Sequence, residues 1–297
     1  MLTLKQLAQL ADAHMTDLDT VPPPLLIGEQ EFDVAMRPVL MGVVNLSSDS
    51  SYRDSIANTT ESAIRKGRVM AAEGATIVDI GAESTTAKAS RVTAEDQIAA
   101  LVPVITPLAA DGIIVSTETY EPAVVEAALE AGTQILNMTG VSHEEHMLDL
   151  AASSGATVIM CFSGGGNVRE IVDISVGGDP VPDLLAHFEP RIERARSRGV
   201  DRIVIDPGMG FYYGNLTDPP TRARHQASVL LNSFRLRCLG LPICNAMPSA
   251  YALFEENYRS AEPFFSVLAM LGGTDVIRTH EVPKVRSVLD IMQLVST

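Results

Sequence analysis

Short apolar runs rich in valine and isoleucine alternate with longer amphipathic stretches from residue 39 to the end of this chain. Short apolar runs are typical of strands buried on both faces, and apolar residues spaced three or four apart are typical of surface helices. The alternation therefore predicts strand-helix units around a parallel sheet. The predicted strands span residues 39–46, 76–81, 113–117, 134–138, 157–162, 202–206, 241–245 and 275–279.

One helix is predicted after each strand, which gives eight strand-helix repeats with no change of composition between the two halves of the chain. Such a pattern favours a closed (β/α)8 barrel, the TIM barrel of the α/β class, over an open doubly wound sheet. This chain also lacks, after its first predicted strand, the glycine fingerprint that a dinucleotide-binding fold would require. The predicted helices span residues 59–73, 94–109, 122–131, 144–152, 182–198, 221–239, 261–271 and 282–295.

The first residues predict a short helical extension, because Leu4, Leu7 and Leu10 recur at helical spacing before the proline run at 22–24. We divide the chain into an N-terminal extension, residues 1–36, and a barrel, residues 37–297. The extension lacks the basic start and apolar stretch of a signal peptide, and nothing is apolar enough to span a membrane, so we expect a cytoplasmic protein.

Composition and motifs leave the predicted fold unchanged and exclude several kinds of partner and site. The 297 residues carry 37 acidic and 22 basic side chains, a net charge of -15, which argues against a nucleic-acid partner. The three cysteines, Cys161, Cys238 and Cys244, have neither metal-ligand spacing nor the even count of a disulfide framework. The glycine-rich segment 163–167 lacks the Lys-Ser/Thr of a phosphate-binding loop, and we interpret it as a loop over the pocket.

Polar residues gather where the predicted strands end, which is where barrel active sites form. Each of them also has an ordinary structural explanation: Asp206-Pro207-Gly208 suits a turn, Glu118 complements a helix dipole, and Arg278 suits a surface ion pair. A polar ring of this kind is nevertheless unfavourable to bury unless it meets a polar ligand. The strand-end residues are Asn45 and Asp49, Glu83 to Thr86, Glu118, Asn137, Asp206, Arg278 and His280.

Four strand-end segments together resemble the dihydropteroate synthase family, whose members join a dihydropterin methyl diphosphate to p-aminobenzoate with loss of diphosphate. The resemblance covers residue 39 to the end of the chain. The segments are Met41-Gly42-Val43-Val44-Asn45-Leu46-Ser47-Ser48-Asp49-Ser50, Asp79-Ile80-Gly81-Ala82-Glu83-Ser84-Thr85, Asp206-Pro207-Gly208-Met209-Gly210-Phe211 and Arg278-Thr279-His280.

The resemblance implies catalytic roles for Asn45, Arg278 and His280 at the diphosphate, with Asn45 also contacting Mg²⁺. A carboxylate such as Asp206 or Glu118 suits the pterin edge, because it accepts two hydrogen bonds at once. The family also implies a pterin ligand, an aromatic amine and a homodimer. The substrate-binding residues implied are Thr85, Glu118, Asn137, Met160, Asp206 and Phe211.

The resemblance breaks at the seventh strand, where the family carries Ser-Arg-Lys and this chain has Ala250 in place of the lysine. Glu118 replaces the family aspartate, Cys161 replaces a histidine, and Thr86 stands where many members have arginine. Arg53 or Arg259 are candidates to replace the lost charge. Three interpretations stay open: a divergent dihydropteroate synthase of weak activity, a pterin- or folate-dependent methyltransferase, and a non-catalytic pterin-binding regulator.

Overall fold

The computed structural model describes residues 2–47, 49, 52–85 and 89–295, and its centre is a parallel barrel. The strands are β1 (Leu25–Ile27), β2 (Gln30–Phe32), β3 (Val39–Asn45), β4 (Ile77–Gly81), β5 (Ile114–Thr119), β6 (Ile135–Met138), β7 (Thr157–Cys161), β8 (Ile203–Asp206), β9 (Cys244–Ala246) and β10 (Val276–Thr279). Around the barrel the strands follow the order β8-β7-β6-β5-β4-β3-β10-β9. A bridge between Ile205 and Ile243 joins the two outermost strands, with Ile205 N donating to Pro242 O at 3.1 Å. The predicted barrel is thereby confirmed.

Helices cover the outside of the barrel, and most begin and end within two residues of their predicted bounds. The predicted helix 221–239 is an exception, because it changes into a 3-10 helix, Ser233–Leu239. The helices are α1 (Leu4–Ala13), α2 (Met15–Leu18), α3 (Thr60–Ala72), α4 (Ala94–Ala110), α5 (Pro122–Glu130), α6 (Glu144–Ser154), α7 (Val181–Ser197), α8 (Pro219–Asn232), α9 (Tyr251–Phe254), α10 (Ala261–Leu271) and α11 (Val282–Leu294). Within the described residues, no helix has the length and apolarity to cross a membrane.

Side chains alternate between the two faces of each barrel strand, and this alternation decides which residues reach the interior. In β3, Val39 and Met41 belong to the inner core, whereas Leu40 and Val44 belong to the layer between strands and helices. Asn45 shares the parity of Met41 and therefore ends β3 facing inward. The same rule applies to the strand-end residues of the other barrel strands.

A hairpin of β1 and β2 packs into the inner core, although we had predicted neither of these three-residue strands. Leu25, Ile27 and Val34 join the inner core with barrel residues such as Ile135. Thr157 Oγ1 at the start of β7 donates to Leu26 O at 2.7 Å. Part of the segment that we assigned to an N-terminal extension thus completes the core of the barrel, while the boundary at residue 36 stays a proposal.

Candidate active site

A cavity of about 450 Å³ opens at the C-terminal ends of the barrel strands. It collects nearly all of the predicted site residues, which come from the ends of six barrel strands or from the loops after them. This convergence follows from the parallel barrel, which brings all strand C-termini to one mouth. The predicted residues that line the cavity are Asn45, Thr85, Glu118, Asn137, Asp206, Phe211, Arg278 and His280.

Met160 is the predicted site residue that lies elsewhere. It is fully buried in the outer core between the strands and the helices. Its neighbour Cys161 has the opposite parity, lines the cavity and donates its thiol to Asn137 Oδ1 at 3.2 Å. Met160 therefore supports the barrel wall, and Cys161 occupies the cavity position that we had predicted for Met160.

The floor of the cavity is a buried ion-pair network around Asp79. This fully buried carboxylate accepts hydrogen bonds from Ser116 Oγ at 2.6 Å and Asn137 Nδ2 at 3.2 Å. Arg278 donates Nε to Asp79 Oδ2 at 2.7 Å and Nη2 to Glu118 Oε2. Burial lowers the pKa of Arg278, but the charges of Asp79 and Glu118 outweigh burial and raise its pKa above the usual value. Arg278 is thus shared between two carboxylates before any ligand arrives.

The carboxylates of Glu118 and Asp206 line the cavity in surroundings that disfavour their charged forms. Burial raises the pKa of Glu118 to about 7 and the pKa of Asp206 to about 6, against the opposing effect of Arg278. Asp206 Oδ1 accepts the backbone N–H of Gly208 at 2.8 Å, which fixes its orientation. Buried carboxylates that titrate near neutrality in a cleft are typical of functional sites.

Another buried carboxylate, that of Glu262 in α10, orients His280. Glu262 accepts hydrogen bonds from Thr279 Oγ1, from the backbone N–H of His280 at 2.8 Å, and from His280 Nδ1 at 2.7 Å. The imidazole also stacks on Tyr52, with ring centroids 4.2 Å apart, and Tyr52 donates its hydroxyl to Glu281 at 2.6 Å. Because Nδ1 is committed to Glu262, Nε2 is the nitrogen that His280 can offer to a ligand.

The loop that carries Thr85 is held in place by Arg169 from the loop after β7. Arg169 Nη2 donates to Ala89 O at 2.6 Å, and Nη1 lies 3.9 Å from Glu83 Oε1. Tyr120 donates its hydroxyl to the other oxygen of Glu83. These contacts place Thr85 against the cavity, whereas Thr86, where we noted the missing arginine, lies outside the described residues.

The glycine-rich segment 163–167 does not line the cavity. Its Gly166 carbonyl accepts hydrogen bonds from Val141 N at 2.7 Å and Ser142 N at 3.0 Å, so the segment packs on the residues that follow β6. Our interpretation of this segment as a loop over the pocket was wrong.

Residues 41–280, which include almost the whole barrel and the cavity, match the protein family described as pterin binding enzyme. The chain belongs to this family. It is 33% identical to the dihydropteroate synthase type-2 of Escherichia coli over 267 residues, 86% of this chain and 94% of that protein. It is 28% identical to the dihydropteroate synthase of Synechocystis over 291 residues, 94% of this chain and 95% of that protein.

Solved structures of other pterin-binding enzymes share the fold. Xanthomonas albilineans dihydropteroate synthase with 4-aminobenzoic acid is 27% identical, with a TM-score of 0.76 over 92% of this chain and 98% of that one. Burkholderia cenocepacia dihydropteroate synthase complexed with 7,8-dihydropteroate is 25% identical, with a TM-score of 0.77 over 92% and 96%. The predicted family and a dihydropteroate-synthase-like enzyme are confirmed.

Ala250 is the position at which this pterin-binding enzyme lacks the lysine of the dihydropteroate synthase pattern. Ala250 lines the cavity in a left-handed backbone conformation, with φ 44° and ψ 39°. Neither arginine that we considered as a replacement for the lysine lines the cavity: Arg53 is exposed, and Arg259 donates Nε to Glu281 at 2.6 Å. Arg222 of α8 does line it, and we had not predicted this.

Sequence reasoning therefore missed several residues of the site, among them Asp79, Cys161, Tyr52 and Arg222. Strand parity could have indicated two of them, because Asp79 and Cys161 each lie an even number of residues from an inward-facing neighbour on the same strand. Tyr52 and Arg222 come from loops or helices, and no periodic signal in the sequence marks them.

Proposed function

We propose that this enzyme condenses a dihydropterin methyl diphosphate with p-aminobenzoate or a related aromatic amine, and that its turnover is lower than that of ordinary dihydropteroate synthases. The observation that carries the proposal is the convergence of Asp206, Asn137, Arg278 and His280 on one cavity. The named relatives support it, since they are dihydropteroate synthases and their similarity to this chain covers most of both sequences. The lower turnover follows from Ala250, where the family lysine is absent.

In this proposal the floor of the cavity binds the pterin. The Asp206 carboxylate accepts the paired N–H groups of the pterin edge, and Asn137 supplies an amide beside it. Nε2 of His280, the side-chain amide of Asn45 and the Arg278 guanidinium surround the diphosphate. The amine nitrogen bonds to the pterin methylene carbon, the C–O bond breaks with its electron pair on diphosphate, and the amine loses a proton. Stabilising the charge that leaves is the main catalytic task.

In this proposal Mg²⁺ would be held mainly by the diphosphate of the substrate and not by the protein. Within the described residues, no cluster of three His, Cys, Asp or Glu side chains could hold a metal ion. Asn45 would contribute at most one oxygen, and a bound diphosphate would have to supply most other ligands, as is common for Mg²⁺. The residues present do not form a metal site by themselves, and no step here passes through the ion. The homodimer and the cytoplasmic location likewise stay predictions.

Equilibrium binding separates the three interpretations that the sequence left open. We expect isothermal titration to show tight binding of a dihydropterin methyl diphosphate, with p-aminobenzoate binding to the pterin complex and diphosphate appearing as a product. Binding of methyltetrahydrofolate in preference to the diphosphate would favour the methyltransferase. Binding of pterin without turnover of any amine would favour the regulator.

The affinity for a dihydropterin should depend on pH in a defined direction. The carboxylate of Asp206 has a pKa of about 6 in the free protein and must be ionised to accept two hydrogen bonds. The affinity should therefore be constant above about pH 7 and fall by about tenfold per unit below about pH 6. Fluorescence titration between pH 5 and pH 8 measures this, and Glu118→Gln should keep the same inflection. Loss of the inflection in Glu118→Gln would show that Glu118 is the acceptor.

A further inference from the structure

Arg222 is a cation in the cavity wall without a compensating anion. Its Nη2 donates to Phe211 O at 2.9 Å, and its guanidinium carbon lies 4.7 Å from the centroid of the Tyr212 ring. In the described part of the chain it forms no ion pair with a carboxylate. Burial lowers the pKa of Arg222, and the neighbours that oppose this shift are tyrosines, Tyr212 and Tyr213.

Four other arginines of low side-chain exposure each form an ion pair with a carboxylate. This contrast is informative because the chain carries 37 acidic side chains against 22 basic ones, so that carboxylates are plentiful. A partly buried guanidinium that remains unpaired in such a protein is energetically unfavourable unless a ligand supplies the anion. The neutralised pairs are Arg278 with Asp79, Arg191 with Glu144, Arg169 with Glu83 and Arg237 with Asp275.

The position of Arg222 in α8 supports the same conclusion. It lies four residues into the helix, near the end where the helix dipole disfavours a cation. The backbone of this first turn offers little to an anion, because Pro219 and Pro220 have no N–H and Thr221 N donates to Asp218 at 3.0 Å. An anion bound here would therefore be held by the guanidinium of Arg222.

We propose that Arg222 determines specificity for the second substrate by binding the carboxylate of an anionic aromatic amine. The inference rests on the proposed function. The wall beside Arg222 is aromatic and apolar, with Phe211, Tyr212 and Leu216 among its residues, which suits a flat ring that carries one carboxylate. The floor, by contrast, carries the carboxylates of Glu118 and Asp206 and suits the N–H groups of a pterin. A planar guanidinium also matches a carboxylate with two parallel hydrogen bonds.

The test compares p-aminobenzoate with its uncharged analogue 4-aminobenzamide in wild type, Arg222→Met and Arg222→Lys. We expect Arg222→Met to raise KM for p-aminobenzoate by about ten- to a hundredfold with kcat nearly unchanged, and to leave KM for the amide within about twofold. Arg222→Lys should lie between, because it keeps the charge but loses the planar fork. Arg224→Met, at an exposed position two residues along α8, should behave as wild type.

Two results would overturn the inference. Equal losses with both amines, together with a raised KM for the dihydropterin diphosphate, would assign Arg222 to the leaving group instead. Unchanged kinetics with both amines would remove it from substrate recognition. Calorimetric binding of the two amines to the pterin-saturated protein needs no turnover, so it tests Arg222 even if wild type forms no product and the condensation itself is refuted. Thermal melting of each variant identifies losses that come from unfolding.

Discussion

Replacing Asp206 by asparagine should lower the affinity for a dihydropterin by roughly two to three orders of magnitude and leave the fold intact. Each charge-assisted hydrogen bond to a buried ligand contributes about 1.5–3 kcal/mol, and asparagine presents a donor where the pterin also donates. The substitution keeps the volume, and the asparagine oxygen can still accept the N–H of Gly208, which now lies 2.8 Å from Asp206. Fluorescence titration with a pterin measures the loss.

The stability of this variant has a predictable sign. Burial raises the pKa of Asp206 from 3.8 to about 6, so the folded state favours the protonated form. The stabilising contribution of Asp206 is therefore complete below about pH 4 and is lost as the pH rises through about 6. At pH 7 the variant loses only an unfavourable buried charge, and its melting temperature should not fall. Asp201→Asn, at an exposed position before the same strand, is the matched control. Unchanged pterin affinity in Asp206→Asn would move the pocket floor to Glu118.

The barrel could be predicted from the sequence because two periodicities coincide in it. Strands buried on both faces appear as apolar runs, and the helices that cover them keep an apolar stripe. The strand β9 shows the limit of this signal. We predicted 241–245, but the strand spans Cys244–Ala246, since Leu241 to Ile243 are as apolar as a strand yet precede it. Apolar runs mark buried segments more reliably than strand ends.

Parity within each strand explains why four of the predicted site residues reach the cavity and Met160 does not. Asn45, Glu118, Asn137 and Asp206 share the inward parity of their strands, and each lines the cavity. Met160 was carried over from the family pattern without this check. In the sheet Cys161 pairs with Asp206, and Met160 pairs with Met138 of the outer core. Applied to β7, the alternation alone would have selected Cys161.

Contacts between distant segments could not be predicted from local sequence. Arg278 reaches Asp79 across 199 positions of the chain, and Tyr52 reaches Glu281 across 229. Arg222 follows a loop of irregular structure after β8, where neither hydrophobic period applies. Each depends on the closed barrel, which brings loops from opposite ends of the sequence to one mouth.

Introducing lysine at Ala250 should raise turnover with dihydropterin diphosphate and p-aminobenzoate by about one to two decades, if diphosphate is the leaving group. Glu118 and Asp206 line the cavity, and Arg278 is already paired with Glu118 and with the buried Asp79, so positive charge for the departing diphosphate is scarce. One regained charge-assisted contact has about this effect. The left-handed backbone of Ala250 adds little further strain, because alanine already carries a Cβ there.

Steady-state kinetics of wild type, Ala250→Lys and Ala250→Met check this prediction, since methionine has a similar length without the charge. Only the lysine variant should gain, and the gain should appear in kcat, because the charge develops in the transition state. A neutral or harmful lysine would indicate another donor, and wild-type turnover equal to that of ordinary dihydropteroate synthases would show that the lost lysine matters little.

Combining Ala250→Lys with Arg222→Met separates the roles of the two cations. If Arg222 binds the carboxylate of the amine, the lysine should raise kcat in the double variant as it does alone but leave the raised KM for p-aminobenzoate, because the two cations bind different anions.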